Sequence, residues 1–280
     1  MPSHRVAVIT GGASGIGLAV AGSLAQKGWS VHIFDLSKQE EQSIANQISA
    51  TTFHEVDVNS WQSLSSGFDK VFQAESRLDF VFANAGIMEK GGFYERHDLS
   101  LPPPPLEEST IDTNLKGVAR TAYLAQHYFR GNPDGAKDCV LVVTSSIAGI
   151  YPQDFTPLYA ATKAGILNFM RSVAGPFYKN DGIRTYAICP GSVRTNLLGK
   201  DLWDAYPQQY LTSMENVTAT VDALIRGGQM KDSDGQVVDL NSEHGLAAEI
   251  FVDDIYFRGP PGPCNDGMRF IMNYMSNNKK

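Results

Sequence analysis

The chain alternates between apolar runs of strand length and segments with helical periodicity. Several runs are almost continuous in valine, isoleucine and phenylalanine, as expected for strands that are covered on both faces. Alternating strands and helices imply a parallel sheet with right-handed crossovers, so we predict a doubly wound α/β fold of about seven strands with helices on both faces. The predicted strands are Arg5–Ile9, Ser30–Phe34, Thr51–Val56, Leu78–Phe82, Cys139–Thr144, Ile183–Cys189 and Gln236–Leu240.

Three regions interrupt this alternation within what we expect to be one domain over residues 1–280. Residues 89–109 include a run of prolines, which lack the amide donor of regular structure, and are predicted to form a long inserted loop at the carboxyl edge of the sheet. Residues 196–217 mix apolar and polar side chains after the sixth strand and are predicted to form a substrate lid. Residues 258–280 form a tail beyond the last predicted strand.

The composition narrows the classes of partner. Hydrophobic residues make up 42% of the chain, enough for a sizeable core, and charged residues only 19%, which argues against disorder. The formal net charge of −7 repels phosphate backbones, so we expect no nucleic-acid partner. No run approaches the roughly 20 apolar residues of a membrane span, and no signal peptide is recognisable. The expected location is the cytoplasm, without membrane binding.

The three cysteines, Cys139, Cys189 and Cys264, show neither metal-ligand spacing nor a paired framework. Because disulfides are mostly confined to oxidising compartments, we interpret them as buried or tail thiols in a reducing one. No metal site is expected.

A glycine-rich turn at residues 10–17 follows the first strand and opens a helix. Gly11 allows a tight turn, Gly15 lets the backbone approach a pyrophosphate, and Gly17 lets helix and sheet pack closely. The helix N-terminus adds free amides and a positive dipole end. An ordinary glycine loop is the alternative for this motif alone. The predicted Rossmann-type dinucleotide contacts in this turn are Gly11, Ser14, Gly15, Ile16 and Gly17.

The second strand is followed by Asp35, 18 residues after Gly17. An acidic residue near this offset hydrogen-bonds the ribose hydroxyls of the adenosine and repels a 2′-phosphate. Leu36 follows it, and Lys38, the nearby cation, is interpreted as a solvated helix residue. The predicted cofactor is therefore NAD rather than NADP, with Asp35 and Leu36 beside the ribose.

Tyr159 and Lys163 lie four residues apart at the start of a predicted helix, which places them on one face. A free tyrosine has a pKa near 10, and we expect a nearby ammonium together with the nicotinamide ring to lower it toward the operating pH. Ser146 ends a predicted strand 13 residues earlier, at the same edge of the sheet. An incidental pair and a turn-capping serine remain the alternatives for each feature alone. Together, after a dinucleotide turn, they indicate a tyrosine-based dehydrogenase site.

These motifs resemble the short-chain dehydrogenase/reductase family, over about residues 5–245. One departure is Ala83, where the family usually has a second asparagine. The matching pieces, in family order, are the Thr-Gly-x-x-x-Gly-x-Gly turn at 10–17, Asp57-Val58, Asn84-Ala85-Gly86, Asn114, Ser146, Tyr159, Lys163, and Pro190-Gly191 followed by Thr195.

The resemblance implies that Asp57 bonds the adenine amine and that Val58 packs on the adenine ring. It implies that Asn84, Ala85 and Gly86 form the wall beside the adenosine half. The segment implied to contact the nicotinamide carboxamide comprises Pro190, Gly191, Val193 and Thr195.

The resemblance also implies the catalytic roles. Ser146 is expected to hold the substrate oxygen, and Tyr159 to take the alcohol proton. Lys163 is expected to bond the nicotinamide ribose, and Asn114 to hold a water that links Lys163 to solvent as a proton relay.

Within the family, Ser145–Gly149 and Ala187–Gly191 resemble the NAD-dependent 15-hydroxyprostaglandin dehydrogenase branch. The proline-bearing loop and the tail resemble fungal secondary-metabolism dehydrogenases. The predicted pocket wall is apolar and aromatic, as ligand pockets usually are. It comprises Met88, Ile147, Tyr151, Phe155, Val193, Leu197, Leu198, Trp203 and Tyr206.

The resulting hypothesis is an NAD-dependent oxidoreductase that interconverts a hydrophobic secondary alcohol and its ketone. A carbonyl reductase, or an isomerase or dehydratase that uses the same site, is the first alternative. A non-catalytic NAD-binding sensor is the second. By analogy with the family, the chain is expected to form a homodimer or homotetramer.

Overall fold

A computed structural model of the chain describes residues 4–36, 48 and 50–277, with side chains up to Met275. Lys38, considered above as a solvated helix residue, lies outside the described residues. The described strands are β1 (Val6–Thr10), β2 (Ser30–Asp35), β3 (Thr51–Glu55), β4 (Phe80–Ala83), β5 (Val140–Thr144), β6 (Arg184–Pro190), β7 (Gln229–Lys231), β8 (Val237–Asp239), β9 (Ala247–Phe251) and β10 (Asp254–Arg258).

Helices connect most of these strands. The described α-helices are α1 (Gly15–Gln26), α2 (Trp61–Glu75), α3 (Ser109–Ile111), α4 (Val118–Arg130), α5 (Pro157–Asp181), α6 (Lys200–Ala205), α7 (Met214–Arg226) and α8 (Asp266–Asn277). A π-helical segment, Asp112–Gly117, joins α3 to α4. Single 3₁₀ turns lie at Ile147–Gly149 and Gln208–Tyr210.

The central sheet has eight strands in the order β10-β9-β6-β5-β4-β1-β2-β3. All neighbours are parallel except β9 and β10, which form an antiparallel hairpin at one edge. The predicted doubly wound α/β fold is confirmed, with one strand more than expected. Among the described residues, no helix is long and apolar enough to span a bilayer.

The two faces of the sheet carry separate hydrophobic cores. Along β1, Val6 and Val8 face one core, whereas Ala7 and Ile9 face the other. The first core includes buried side chains of α2, α4 and α5, and the second includes those of α1 and α7. Alternate residues therefore enter opposite cores, which explains why the strand sequences are continuously apolar.

The predicted seventh strand exists, but its expected place in the main sheet is wrong. Of residues Gln236–Leu240, the structure places Val237–Asp239 in β8, which pairs with β7 in a separate two-stranded hairpin. Val237 is 56% exposed, so this short segment cannot be an interior strand of the main sheet. The two remaining strands of the sheet, β9 and β10, were not predicted; Glu249 interrupts the apolar run of β9, and charged residues stand at both ends of β10.

The three irregular regions differ in structure. Residues 89–108 contain neither helix nor strand, and α3 begins directly after them at Ser109. The segment predicted as a lid includes α6 and the first residues of α7. The tail contains α8, a helix that was not predicted.

A chain of polar side chains crosses the edge of the sheet at β2 and β3. Glu75 accepts hydrogen bonds from Ser30 Oγ at 2.6 Å and from His32 Nε2 at 2.9 Å. Because Nε2 then carries the proton, Nδ1 of His32 accepts from Nε2 of His54 at 2.9 Å. Burial alone raises the pKa of Glu75, but hydrogen bonds from Ser30, His4 and His32 outweigh it and lower the pKa to about 2.

We predict that His54 makes the chain sensitive to acid. Burial lowers the pKa of His54 from 6.5 to about 4, so the unfolded chain binds this proton more readily than the folded chain. Its stabilising contribution is complete above pH 6.5 and is lost as the pH falls toward 4. The free energy of unfolding, measured by urea titration, should fall over this window. The fall should be shallower in His54→Gln, which keeps an N–H donor without a titrating ring; an equal slope would contradict the assignment.

Candidate functional site

The carboxyl ends of the central strands meet at one edge of the sheet. Strand order reverses between β1 and β4, and the crevice at such a reversal is the usual ligand site of open α/β sheets. The glycine turn follows β1, Asn84 follows β4, Ser146 follows β5 and Thr195 follows β6. Motifs that are distant in the sequence are therefore brought to one place.

The glycine turn packs against its neighbours through its backbone. Gly11 and Gly15 have φ angles of +64° and +51°, in the left-handed region that favours glycine. A Cβ on Gly11 would lie 2.8 Å from Ala85 Cα, and a Cβ on Gly15 would lie 3.0 Å from Thr195 Cγ2. The turn therefore presents a bare backbone surface between the segments that follow β4 and β6.

The Asn84 side chain holds this turn in shape. Its Nδ2 donates to the carbonyls of Thr10 and Gly11 at 3.3 and 3.1 Å, and its Oδ1 accepts from Thr144 Oγ1 at 3.0 Å. The backbone amides of Asn84 and Ala85 donate to Thr10 Oγ1 at 3.1 and 3.2 Å. Asn84 is thus a support of the turn, beyond the wall position that the family resemblance implies.

The first turn of α1 offers groups suited to an anion. Ser14 occupies the N-cap, but its hydroxyl makes no capping hydrogen bond. The first amides of a helix have no partner inside it and form the positive end of its dipole. The Ser14 hydroxyl and the backbone amides of Gly15, Ile16 and Gly17 thus lie together at the start of α1.

Asp35 ends β2 beside the turn. Its Oδ2 accepts from the Ala13 amide at 3.0 Å, and its Oδ1 accepts from the Leu36 amide at 2.8 Å. A carboxylate oxygen has two lone pairs, so each oxygen retains acceptor capacity for a further hydroxyl.

Asp57 and Val58 follow β3 on the same side of the sheet. The Asp57 amide donates to Ser63 Oγ at 3.0 Å, and Asp57 Oδ1 accepts from the Asn59 amide at 2.8 Å. Val58 is buried, and a Cβ on Gly117 would lie 2.9 Å from its Cγ2. The pair is therefore held against the π-helical segment.

The segment after β6 is tied to the predicted lid. Pro190 ends β6, Gly191 donates its amide to the Ile250 carbonyl at 2.7 Å, and Val193 is buried. The Trp203 indole of α6 donates to the Thr195 carbonyl at 2.7 Å. The position of Thr195 is thus coupled to α6.

The predicted pocket wall is not uniform. Trp203 is 5% exposed and belongs to the packing of α6, whereas Phe155 is 93% exposed. Tyr151 and Leu197 are 45% and 40% exposed. Tyr206 is held by a hydrogen bond between its hydroxyl and Ser192 Oγ at 2.8 Å.

Ser146 and Tyr159 are brought into contact at the crevice. Ser146 Oγ accepts from the Ala148 amide at 3.1 Å and hydrogen-bonds the Tyr159 side chain. Burial raises the pKa of Tyr159, and the bond with Ser146 opposes this rise. The expectation that the Lys163 ammonium and the nicotinamide ring together lower the pKa of Tyr159 concerns the enzyme with its cofactor bound, and it stays a prediction.

Lys163 lies one turn further along α5 and is buried. Its Nζ is 5.5 Å from the ring centroid of Tyr159 and donates to the Thr144 carbonyl at 2.8 Å. Burial lowers the pKa of Lys163 to about 8. Ser145, to which the sequence assigned no role, donates its hydroxyl to the Lys163 carbonyl at 2.8 Å.

Asn114 lies in the π-helical segment, an irregularity that is frequent at functional sites. Its Oδ1 accepts from the Ile87 amide at 2.8 Å, and its Nδ2 donates to the Ile87 carbonyl at 2.9 Å and to Thr162 Oγ1 at 3.3 Å. A Cβ on Gly86 would lie 3.3 Å from Asn114 Oδ1 and 3.4 Å from Lys163 Nζ. Asn114 and Lys163 thus both face the backbone of Gly86.

Glu89 is a second neighbour of the site that sequence reasoning missed. Its Oε2 accepts the backbone N–H of Tyr159 at 2.8 Å. The two residues are 70 positions apart, so no local spacing signals the contact.

The cysteines are as expected from their spacing. Cys139 and Cys189 are buried and Cys264 is exposed. Burial raises the pKa of Cys139 and Cys189 to about 12, which leaves them as unreactive thiols at neutral pH. Within the described ranges, no group of three or more His, Cys, Asp or Glu side chains is placed to hold a metal ion.

Comparison with known proteins agrees with this geometry. The sequence model of the short chain dehydrogenase family matches residues 5–206. The chain belongs to the short-chain dehydrogenase/reductase family. It is 40% identical over 268 residues to short-chain dehydrogenase/reductase prx7 of Penicillium rubens, across 92% of this chain and 95% of that protein. This enzyme is therefore an oxidoreductase of that family.

Both branches that the sequence resembles occur among the relatives of this short-chain dehydrogenase/reductase. Besides the fungal relative, 15-hydroxyprostaglandin dehydrogenase (NAD(+)) of Homo sapiens is 33% identical over 201 residues, across 69% of this chain and 70% of that protein.

Solved structures show the same fold. A 3-ketoacyl-(acyl-carrier-protein) reductase from Brucella melitensis, complexed with NADH, has a TM-score of 0.71 at 22% identity and covers 88% of this chain and 96% of its own. ElxO with NADP bound has a TM-score of 0.71 at 23% identity, with the same coverage of 88% and 96%.

We predict that Gly17→Ala destabilises the chain through the glycine turn. The added Cβ would overlap the Gly11 carbonyl oxygen and lie 2.8 Å from Asn84 Nδ2. Overpacking of this kind costs about 1–3 kcal/mol, so the free energy of unfolding should fall by about 2 kcal/mol in denaturant titrations. In Gly22→Ala, on the same helix, the Cβ meets Ile48 Cδ1 at 3.5 Å, and stability should be retained or slightly raised. Equal stabilities of the two variants would refute this account of the turn.

Proposed function

We propose that this enzyme is an NAD-dependent dehydrogenase that interconverts a hydrophobic secondary alcohol and its ketone, with Tyr159 as the acid/base. The observation that carries the proposal is the contact of Ser146 with Tyr159 above the buried Lys163, at the edge where the glycine turn lies. A strand-end serine, a tyrosine and a lysine are the groups needed to move a proton at an alcohol oxygen.

In the oxidative direction, Tyr159 accepts the proton of the substrate hydroxyl. A serine hydroxyl has one donor and two acceptor positions, and Ser146 accepts from the Ala148 amide. Its hydrogen can therefore be donated to the substrate oxygen and can stabilise charge there. Protonated Lys163 favours the phenolate of Tyr159 by its charge. Asn114 is proposed to hold a water that links Lys163 to solvent as a proton relay.

The residues at this edge fit a dinucleotide. Gly15 has no side chain where the backbone meets Thr195, and the Ser14 hydroxyl makes no capping bond to the helix. The amides of α1 suit a pyrophosphate, and the carboxylate of Asp35 suits two ribose hydroxyls. Bound NAD supplies the hydride acceptor for the alcohol carbon. Thr195 is proposed to hold the carboxamide of the same cofactor.

NAD is favoured over NADP by the charge of Asp35. A carboxylate at the end of β2 repels a 2′-phosphate, and its oxygens are already directed by the Ala13 and Leu36 amides. The human relative, which carries NAD(+) in its name, supports the same choice. The known structures with this fold include both an NADH and an NADP complex, so the fold itself favours neither.

A hydrophobic substrate is favoured by the exposed side chains of the predicted pocket wall. Tyr151, Phe155 and Leu197 are large apolar or aromatic side chains with substantial exposure. The human relative named above is a 15-hydroxyprostaglandin dehydrogenase, whose name specifies a hydroxylated substrate. Carbonyl reduction uses the same residues in the opposite direction. An isomerase or dehydratase is distinguished by the absence of net NADH formation. One domain over residues 1–280 and a homo-oligomeric state stay predictions.

We expect Tyr159→Phe to keep NAD binding and to lose turnover. The variant removes the proton acceptor and little packing, and general acid–base catalysis contributes about 10²–10⁴-fold to a rate. The measurement is NADH formation with a panel of hydrophobic secondary alcohols, alongside calorimetric binding of NAD. Tyr123→Phe, which alters a tyrosine on α4 that is 65% exposed, is the matched control and should retain full activity. Turnover of Tyr159→Phe at the wild-type rate would sink the mechanism.

We expect Asp35→Asn to relax the choice of cofactor. The amide oxygen can still accept from the Ala13 amide and so retain the turn, whereas the Leu36 amide loses its acceptor and the charge is removed. The Kd for NAD should rise by about tenfold, as for the loss of an interaction worth about 1.4 kcal/mol, and NADP should bind more tightly than to the wild type. Unchanged affinities for both cofactors by calorimetry would contradict the role of Asp35.

A further inference from the structure

Three consecutive residues after β4, Ile87–Glu89, connect the two helices that carry the site. Asn114 binds both backbone groups of the first residue, at 2.8 and 2.9 Å. Thr110 Oγ1 donates to the Met88 carbonyl at 3.4 Å. The backbone amide of Tyr159 donates to the Glu89 carboxylate at 2.8 Å. This segment therefore fixes the start of α5 relative to the π-helical segment.

The start of α5 depends on that carboxylate. Thr156 occupies the N-cap but makes no side-chain capping hydrogen bond. Tyr159 is the third residue of α5, and its amide is one that an N-cap side chain commonly satisfies. Glu89 supplies the acceptor from outside the helix, and its negative charge lies at the positive end of the helix dipole.

We propose that Glu89 is a positioning residue for Tyr159. By capping α5 from the first residue of the proline-rich loop, it holds the Tyr159 phenol against Ser146 and above Lys163. The inference rests on the proposed function, because it is the acid/base role of Tyr159 that makes its position matter.

The hydrogen bond from Tyr159 to Glu89 lies in the first turn of α5, so its loss is expected to affect catalysis. The first turn of a helix frays when its amides lack acceptors, and Tyr159 lies in that turn. A misplacement of about 1 Å in a reacting group can lower a rate by about 100-fold. Glu89 is also the point where residues 89–108 leave the site, so the position of this loop is coupled to Tyr159 through one hydrogen bond.

The test compares two variants that both remove the charge of Glu89. Glu89→Gln keeps an oxygen acceptor for the Tyr159 amide, whereas Glu89→Ala does not. We expect kcat to fall about tenfold in Glu89→Ala and to stay within about threefold of wild type in Glu89→Gln, with the KM for NAD within about twofold in both. Glu108→Ala is the matched control, because this exposed glutamate of the same loop makes no capping hydrogen bond and should have no effect.

A second measurement does not require turnover. In enzyme whose tyrosines are isotope-labelled at Cζ, the NMR signal of Tyr159 is identified by its loss in Tyr159→Phe. The pH titration of this signal gives the pKa of Tyr159. Because the bond with Ser146 lowers the pKa of Tyr159, the pKa should be higher in Glu89→Ala than in Glu89→Gln. If the wild type forms no NADH with the panel, the proposed function fails, but this difference still supports the positioning role.

Equal Tyr159 pKa values in the alanine and glutamine variants would overturn the inference, and so would equal kcat values in an active enzyme. Glu89→Leu, which lacks the acceptor but retains bulk, gives the same comparison if Glu89→Ala does not fold. It is expected to behave as Glu89→Ala, and behaviour like Glu89→Gln would overturn the inference.

Discussion

The constraint on which the structure depends is the burial of both faces of a parallel sheet. Val6, Ala7, Val8 and Ile9 of β1 are all fully buried, in two cores on opposite sides. An unpaired polar group in the middle of such strands is costly, and buried His32 of β2 is accordingly hydrogen-bonded to Glu75 and His54. Groups that must stay free to contact a ligand are therefore favoured at the carboxyl edge, where the chain leaves each strand. The predicted site residues that follow β1, β4, β5 and β6 lie at that edge.

Close backbone packing then determines how the segments at this edge fit together. Side-chain amides of Asn84 and Asn114 bind backbone groups of neighbouring segments, and Gly86 allows Asn114 and Lys163 to approach. The Trp203 indole fixes the segment after β6 in the same way. Hydrogen bonds of this kind hold loops in one arrangement without a large apolar contact. The arrangement of the site is thus a property of backbone contacts as much as of the side chains that are proposed to react.

Local sequence patterns predicted much of the fold and of the candidate site, whereas features that depend on contacts between distant residues were not predicted. The turn at 10–17 and the pair Tyr159 and Lys163 follow from spacing, because helix geometry relates residues a few positions apart. The strand at Gln236–Leu240 was misplaced because an apolar run does not specify its partner strand. The contact of Glu89 with α5 joins residues 70 apart, which no local pattern encodes. The types of residue that are proposed to react could be predicted from the sequence, whereas the hydrogen bonds that hold them in place could not.

The pKa of Tyr159 shows why residue types alone do not give the electrostatics of a site. Burial penalises each charged form, so it raises the pKa of Tyr159 and lowers that of Lys163 to about 8. The same low-polarity surroundings strengthen the attraction between a phenolate and a nearby cation once both are charged. The penalty acts on each group separately, whereas the attraction depends on how close the groups are held. The side chains and caps that fix Tyr159 relative to Lys163 and Ser146 therefore decide which contribution prevails.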